Sequence, residues 1–168
     1  FSTPDIAVGE LLPIDGLTIS RTCYKEYQQT FNSVLLGTLL NALLSGSMIY
    51  FGPPGTGKTT TPEIVGQVLF GLGLQTIQEA TIYGHPQLSQ ENMIGSFDIP
   101  KLMRGVKEVL WNTWVLNFFR MIDEVNRIPP ETSAILMQAI DRRQADYAGN
   151  TLDMPTGPVF ATANFLDP

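Results

Sequence analysis

One stretch leaves this chain few ways to fold. Ser47-Met48-Ile49-Tyr50-Phe51 reads as a short buried strand. It runs straight into Gly52-Pro53-Pro54-Gly55-Thr56-Gly57-Lys58-Thr59, and a segment with helical character follows from Thr60. Strand, glycine loop and helix start in that order form an anion cradle. Glycines let successive N–H groups turn toward one point, and the first helical turn adds unpaired N–H groups and a partial positive charge. In such a loop Lys58 reaches the outer phosphates of a nucleoside triphosphate, and the Thr59 hydroxyl is a ligand for Mg²⁺. The candidate nucleotide-binding residues are Gly52, Pro53, Pro54, Gly55, Thr56, Gly57, Lys58, Thr59 and Thr60.

A second constellation sits further along. Phe118-Phe119-Arg120-Met121-Ile122 is an apolar run, broken only by Arg120, that ends in Asp123-Glu124. Ligands of parallel α/β sheets gather at the carboxyl ends of strands, so these acids are expected beside the phosphates. Adjacent strand residues point to opposite faces. Asp123 is therefore assigned to the metal, through its water shell, and Glu124 to the attacking water as general base. Asn164, at the end of the apolar run Pro158–Ala163, supplies a neutral carboxamide for the same water or the γ-phosphate.

The remaining pattern alternates strands with helices, which implies a parallel α/β sheet. Residues 1–22 show no period and read as a lead-in. From Tyr24 to Leu44 leucines recur every four residues, predicting a helix that packs Leu35, Leu36, Leu39, Leu40, Leu43 and Leu44 into the core. Leu74–Ile82 reads as a second strand, 83–105 as loops with short helical pieces, and Val106–Leu116 as a helix. Pro129-Pro130 introduces a helix over Glu131–Arg142, with Ile135, Leu136, Ala139 and Ile140 inward. Ala148-Gly149-Asn150 turns a hairpin between Gln144–Tyr147 and Thr151–Met154.

Composition narrows the function classes. The net charge of −6 provides no basic stripe for a nucleic-acid backbone. Cys23 is the only cysteine, which excludes an internal disulfide and fits a reducing compartment such as the cytoplasm. His85 is the only histidine and has no ligand-type neighbours in sequence. No apolar run reaches membrane-spanning length.

Together the glycine loop, Asp123-Glu124-Val125-Asn126-Arg127-Ile128-Pro129-Pro130-Glu131-Thr132, Gln138–Gln144 and Phe160-Ala161-Thr162-Ala163-Asn164 resemble the ring-forming AAA+ ATPases, within them the MoxR-like branch. The resemblance implies a P-loop NTPase fold, a three-layer αβα sandwich around a parallel five-stranded sheet. It divides the chain into a lead-in at 1–24 and a nucleotide-binding core at 25–168 that stops after sensor 1. It places Lys58 and Thr59 in Walker A, Asp123 and Glu124 in Walker B, and Asn164 at sensor 1. It also implies inserts at 84–105 and 144–154, and Pro in place of Phe165. The fifth strand, arginine finger and helical lid of such proteins would fall beyond Pro168. The implied activity is Mg²⁺-dependent ATP hydrolysis by a ring, a hexamer, that remodels a client protein. Two alternatives stay open: GTP as the nucleotide, since no residue reads the purine, and a nucleotide-gated module without turnover.

Overall fold

The computed structural model describes residues 33–164, together with the backbone of 6–7 and 30–31. The last two segments form short antiparallel strands, β1 (Ile6–Ala7) and β2 (Thr30–Phe31). Four parallel strands make the central sheet: β3 (Ser47–Phe51), β4 (Thr81–Tyr83), β7 (Arg120–Asp123) and β10 (Val159–Ala163). Their order is β3-β10-β7-β4. β10 thus lies between the strand that feeds the glycine loop and the strand that ends in the acids. All five of its residues are buried, as expected for the central strand of a parallel sheet. The resemblance implies a fifth strand and an inner position for β3; among the described residues there are four, and β3 is at an edge.

Helices cover both faces. α1 (Ser33–Leu44) and α2 (Thr60–Phe70) lie on one side with α3 (Leu74–Glu79). There Ala42, Tyr50, Val65, Ile77, Phe119, Met121 and Phe160 form one core cluster. The other cluster joins Ile82, Ile122, Val159 and Ala161 to Leu136 and Ala139 of α7 (Pro130–Arg142). The alternation Met121/Ile122 and Phe160/Ala161 sends successive side chains to opposite clusters. The parallel sheet between helical layers is the P-loop NTPase fold the motifs implied.

Three expectations need correction. Of the six leucines expected inward from α1, Leu39 alone packs against the core. Leu35, Leu36, Leu40, Leu43 and Leu44 are all exposed, Leu44 at 78%. The inward face carries Val34, Thr38 and Ala42, where the Thr38 and Tyr50 hydroxyls share a 2.6 Å hydrogen bond. Of the predicted helix, Thr30–Phe31 is strand and not helix, and 24–29 and 32 lie outside the described residues, as do Cys23 and Phe165. Second, Leu74–Glu79 is helical and only Thr81–Tyr83 is strand. Gly73 caps that helix in extended conformation, and Ile77 is its one buried side chain. Third, Val106–Leu116 is not one helix. It splits into β6 (Val109–Trp111) and α6 (Thr113–Leu116), with the Asn112 side chain accepting from Trp114 N–H at the break. β6 pairs antiparallel with β5 (Gly95–Phe97), which the loop-rich composition of 83–105 concealed. α4 (Gln90–Met93) and α5 (Ile99–Leu102) complete this insert.

Arg120, which breaks the apolar run in sequence, leaves the register of β7 regular. It opens the strand, at the rim opposite Asp123. Its Nε donates to Trp114 O at 3.1 Å and its Nη2 to Pro155 O at 2.8 Å. Its guanidinium lies 5.8 Å from the centre of the Trp114 ring. Burial, and after it the like charge of Arg143, lowers its pKa to about 10, so it stays charged at neutral pH. The hairpin of β8 (Gln144–Tyr147) and β9 (Asn150–Asp153) forms as expected, one residue tighter. Ala148 and Gly149 both have positive φ, the two-residue turn that matches strand twist.

Candidate active site

The glycine loop leaves β3 at Phe51, and Gly52 N–H donates to Ala163 O, tying it to the end of β10. Gly55 and Gly57 have φ of 77° and 76°. A Cβ at Gly55 would meet nothing within 4 Å, so its glycine serves backbone curvature and not space. Lys58 is 8% exposed. Its Nζ donates to Gly52 O at 2.9 Å and Pro53 O at 2.6 Å, folding the ammonium over the mouth of the loop. Carbonyl partners neutralise its N–H groups but not its charge, which leaves it suited to an incoming anion. α2 starts at Thr60, with Thr61 N–H bonded to Gly57 O.

The acids meet this loop. Thr59 Oγ1 donates to Asp123 Oδ1 at 3.2 Å, across 64 residues of sequence. Thr162 Oγ1 donates to the same oxygen. Two hard oxygen donors, a hydroxyl and a carboxylate, thus stand together, as a phosphate-bound Mg²⁺ needs. Glu63 on the first turn of α2 faces the same region. Burial, then the negative charge of Asp123, raises its pKa above the usual carboxylate range. Tyr83, paired in register with Asp123, is raised by burial and by both acids. The local field favours a cation.

Glu124 diverges from Asp123 for a different reason than strand alternation. β7 ends at Asp123, and Glu124 takes a left-handed conformation, φ 53° and ψ 49°, before the single 3₁₀ turn Val125–Arg127. Its N–H donates to Thr162 Oγ1 at 3.0 Å. Its carboxylate is held on both oxygens. Asn164 Nδ2 donates to Oε1 at 2.8 Å, and Arg127 Nη1 lies 2.6 Å from Oε2. Gly84, just past β4, donates its N–H to Asp123 O at 2.7 Å. A Cβ there would lie 2.1 Å from Glu124 O.

Lys58, Thr59, Asp123, Glu124 and Asn164 therefore sit at one end of the sheet, linked by hydrogen bonds from Thr59 through Asp123, Thr162 and Glu124 to Asn164. Three residues of this cluster escaped the sequence reading: Thr162, Gly84 and the Arg127 contact to Glu124. Only the place of Thr162, two residues before Asn164 at the end of the same apolar run, could have flagged it. Among the described residues no cluster of three or more His, Cys, Asp or Glu side chains is arranged to hold a metal.

A family model, the AAA domain of the dynein-related subfamily, matches residues 47–167. The chain belongs to this AAA family. AAA domains in general bind ATP with Mg²⁺ and hydrolyse it, and Thr59 and Asp123 are chemically fit to share that cation. The AAA match runs from the first residue of β3 past Asn164 and so spans the whole cluster. The domain is 27% identical over 155 residues to the Lon proteases of Chlamydia trachomatis serovar D and of Chlamydia muridarum. It spans 18% of the length of each. It also shares its fold with the crystal structure of a protein named as an ATPase from Cytophaga hutchinsonii. There the TM-score is 0.55 and the identity 23%, over 80% of this chain and 38% of that one. No helix among the described residues of this AAA domain is long and apolar enough to cross a membrane.

Proposed function

We propose that this AAA domain hydrolyses ATP within a MoxR-like ring, a hexamer, that uses the turnover to remodel a client protein in the cytoplasm. One observation carries the hydrolytic reading: Asp123 touches the Thr59 hydroxyl of the glycine loop while the next residue, Glu124, is held apart by Asn164. A cation ligand and a base must be adjacent in space but separately oriented, and this arrangement supplies both. The MoxR-like branch is favoured by the Asp123–Thr132 run, by the β5–β6 insert before β7 and by the β8–β9 hairpin before β10.

In this reading Lys58 leaves the carbonyls of Gly52 and Pro53 for the β- and γ-phosphate oxygens. Thr59 and Asp123 would hold Mg²⁺, which would supply positive charge against the triphosphate. A water hydrogen-bonded to Glu124 and Asn164 attacks the γ-phosphorus. Its proton passes to the Glu124 carboxylate as the bond to the bridging oxygen breaks, giving ADP and phosphate. Glu124 must first give up a partner, because Asn164 and Arg127 occupy both its oxygens. An incoming γ-phosphate competes for Arg127, which would free one oxygen to take the proton.

Fluorescent-nucleotide binding and phosphate release test the assignment on the full protein. Lys58→Ala is expected to lose nucleotide binding. Glu124→Gln is expected to bind normally and turn over at least about a hundredfold more slowly. Normal phosphate release from Glu124→Gln would overturn the assignment of the base. Competition between ATP and GTP in the same assay decides the nucleotide, and sedimentation with nucleotide bound tests the ring.

A further inference from the structure

We propose that Thr162 is the positioning residue that sets the spacing of the two acids, holding the Asp123 carboxylate and the Glu124 backbone through one hydroxyl. This inference rests on the hydrolytic reading of the site above. Thr162 is 1% exposed, in a strand whose other members are Val159, Phe160, Ala161 and Ala163. A hydroxyl in such surroundings persists only when paired, and this one is paired twice. The direction of each bond follows from chemistry. Glu124 N–H can only donate, so the hydroxyl oxygen accepts there; its single proton then goes to Asp123 Oδ1.

The geometry gives that hydroxyl a task that Thr59 cannot take over. Thr59 also donates to Asp123 Oδ1, but the same Thr59 oxygen is wanted by the cation. A cation drawing on the Thr59 hydroxyl would compete with the Thr59–Asp123 bond, whereas the Thr162–Asp123 bond lies outside that competition and anchors the carboxylate. At its other end, Thr162 secures an amide whose residue sits at φ 53°, a left-handed conformation that a non-glycine residue adopts only when its surroundings hold it. Two residues on, just past the end of β10, Asn164 grips the Glu124 side chain. The end of β10 and the residue that follows it thus hold both metal ligand and base.

The test compares Thr162→Val, which keeps shape and loses the hydroxyl, with Thr162→Ser, which keeps the hydroxyl. Mn²⁺ bound in the presence of ADP, followed by electron paramagnetic resonance, reports the cation site without turnover. Thr162→Val is expected to weaken Mn²⁺ about tenfold or more and to lower kcat about a hundredfold. KM for ATP is expected to change less than about threefold, because the glycine loop is untouched. Thr162→Ser is expected to restore both affected quantities to within about threefold. Mn²⁺ affinity unchanged in a folded Thr162→Val would overturn the proposal, as would a folded Thr162→Ser that behaves like the valine variant. If the valine variant does not fold, Thr162→Ala replaces it under the same criteria, and the serine comparison decides alone if neither folds. If the unsubstituted protein binds Mn²⁺–ADP but releases no phosphate, the hydrolytic reading fails while the Mn²⁺ comparison still decides the role of Thr162.

Discussion

Gly84→Ala adds a single methyl group, and its effect can be worked from the coordinates. The new Cβ would sit 2.1 Å from Glu124 O, 2.9 Å from Glu124 C and 3.0 Å from Asp123 O. Ordinary contact begins at about 3.4 Å, so the nearest approach is short by more than an ångström. The obstacles are backbone atoms, which no rotamer change can move aside. Either the end of β4 or the Asp123–Glu124 peptide must shift. Overpacking of this kind costs about 1–3 kcal/mol. Loss of the 2.7 Å bond from Gly84 N–H to Asp123 O adds about 1 kcal/mol. In a domain of this size, a total of about 2–4 kcal/mol lowers the melting temperature by roughly 5–15 °C. The catalytic consequence is expected to be larger. A displacement of about 1 Å at a positioned base costs on the order of a hundredfold in rate. Nucleotide binding is expected to survive, since the atoms that the new methyl group meets first belong to Asp123 and Glu124 and not to the loop from Gly52 to Thr59. Thermal unfolding, nucleotide binding and phosphate release on one preparation measure all three. Gly73→Ala is the control for space: the added Cβ would meet Thr76 Oγ1 at 3.8 Å, so only the loss of a favourable helix cap, about 1 kcal/mol, is expected, with phosphate release unchanged. A Gly84→Ala protein that melts within about 2 °C of the parent and turns over within about threefold would refute the reasoning.

Arg120→Met removes a buried charge but leaves Trp114 O and Pro155 O without their donor, so a loss of about 2–3 kcal/mol is expected in urea unfolding with the nucleotide site intact; a midpoint unchanged within error would mean that the carbonyls find other partners. Glu63 gives a pH dependence of defined sign. Its carboxyl is raised above 4.5 in the folded state, so the folded protein holds that proton more tightly, and this residue's contribution to stability falls as pH rises from 4.5 through the folded value. Glu63→Gln is expected to flatten that part of the urea-midpoint profile and to stabilise the metal-free protein near neutral pH; an unchanged profile would show that neither burial nor Asp123 shifts this carboxyl.

The sequence was legible where chemistry is local. A glycine loop that follows a strand and opens a helix is determined within thirteen residues, because φ > 0 at Gly55 and Gly57, the helix start and the Lys58-Thr59 pair are neighbours along the chain. The acids ending an apolar run, the proline-led α7 and the Ala148-Gly149 turn were legible for the same reason. Short-range pattern misled where two structures satisfy it. The leucines of α1 mark an apolar stripe, but Thr38 and Tyr50 show that the neighbouring stripe is the buried one. Leu74–Ile82 has the composition of a strand, yet the glycine in front of it starts a helix.

Only the tertiary structure could decide which partners meet across the sheet. Thr162 reaches Asp123 over 39 residues and Asn164 reaches Glu124 over 40. Those contacts depend on β10 being threaded between β3 and β7, and on a register that no local propensity encodes. The space denied to a side chain at Gly84, and the carbonyls that hold Arg120, likewise arise from atoms brought together by packing. A residue's own neighbours in sequence fix its conformation; what it touches is fixed by where the sheet places distant ones.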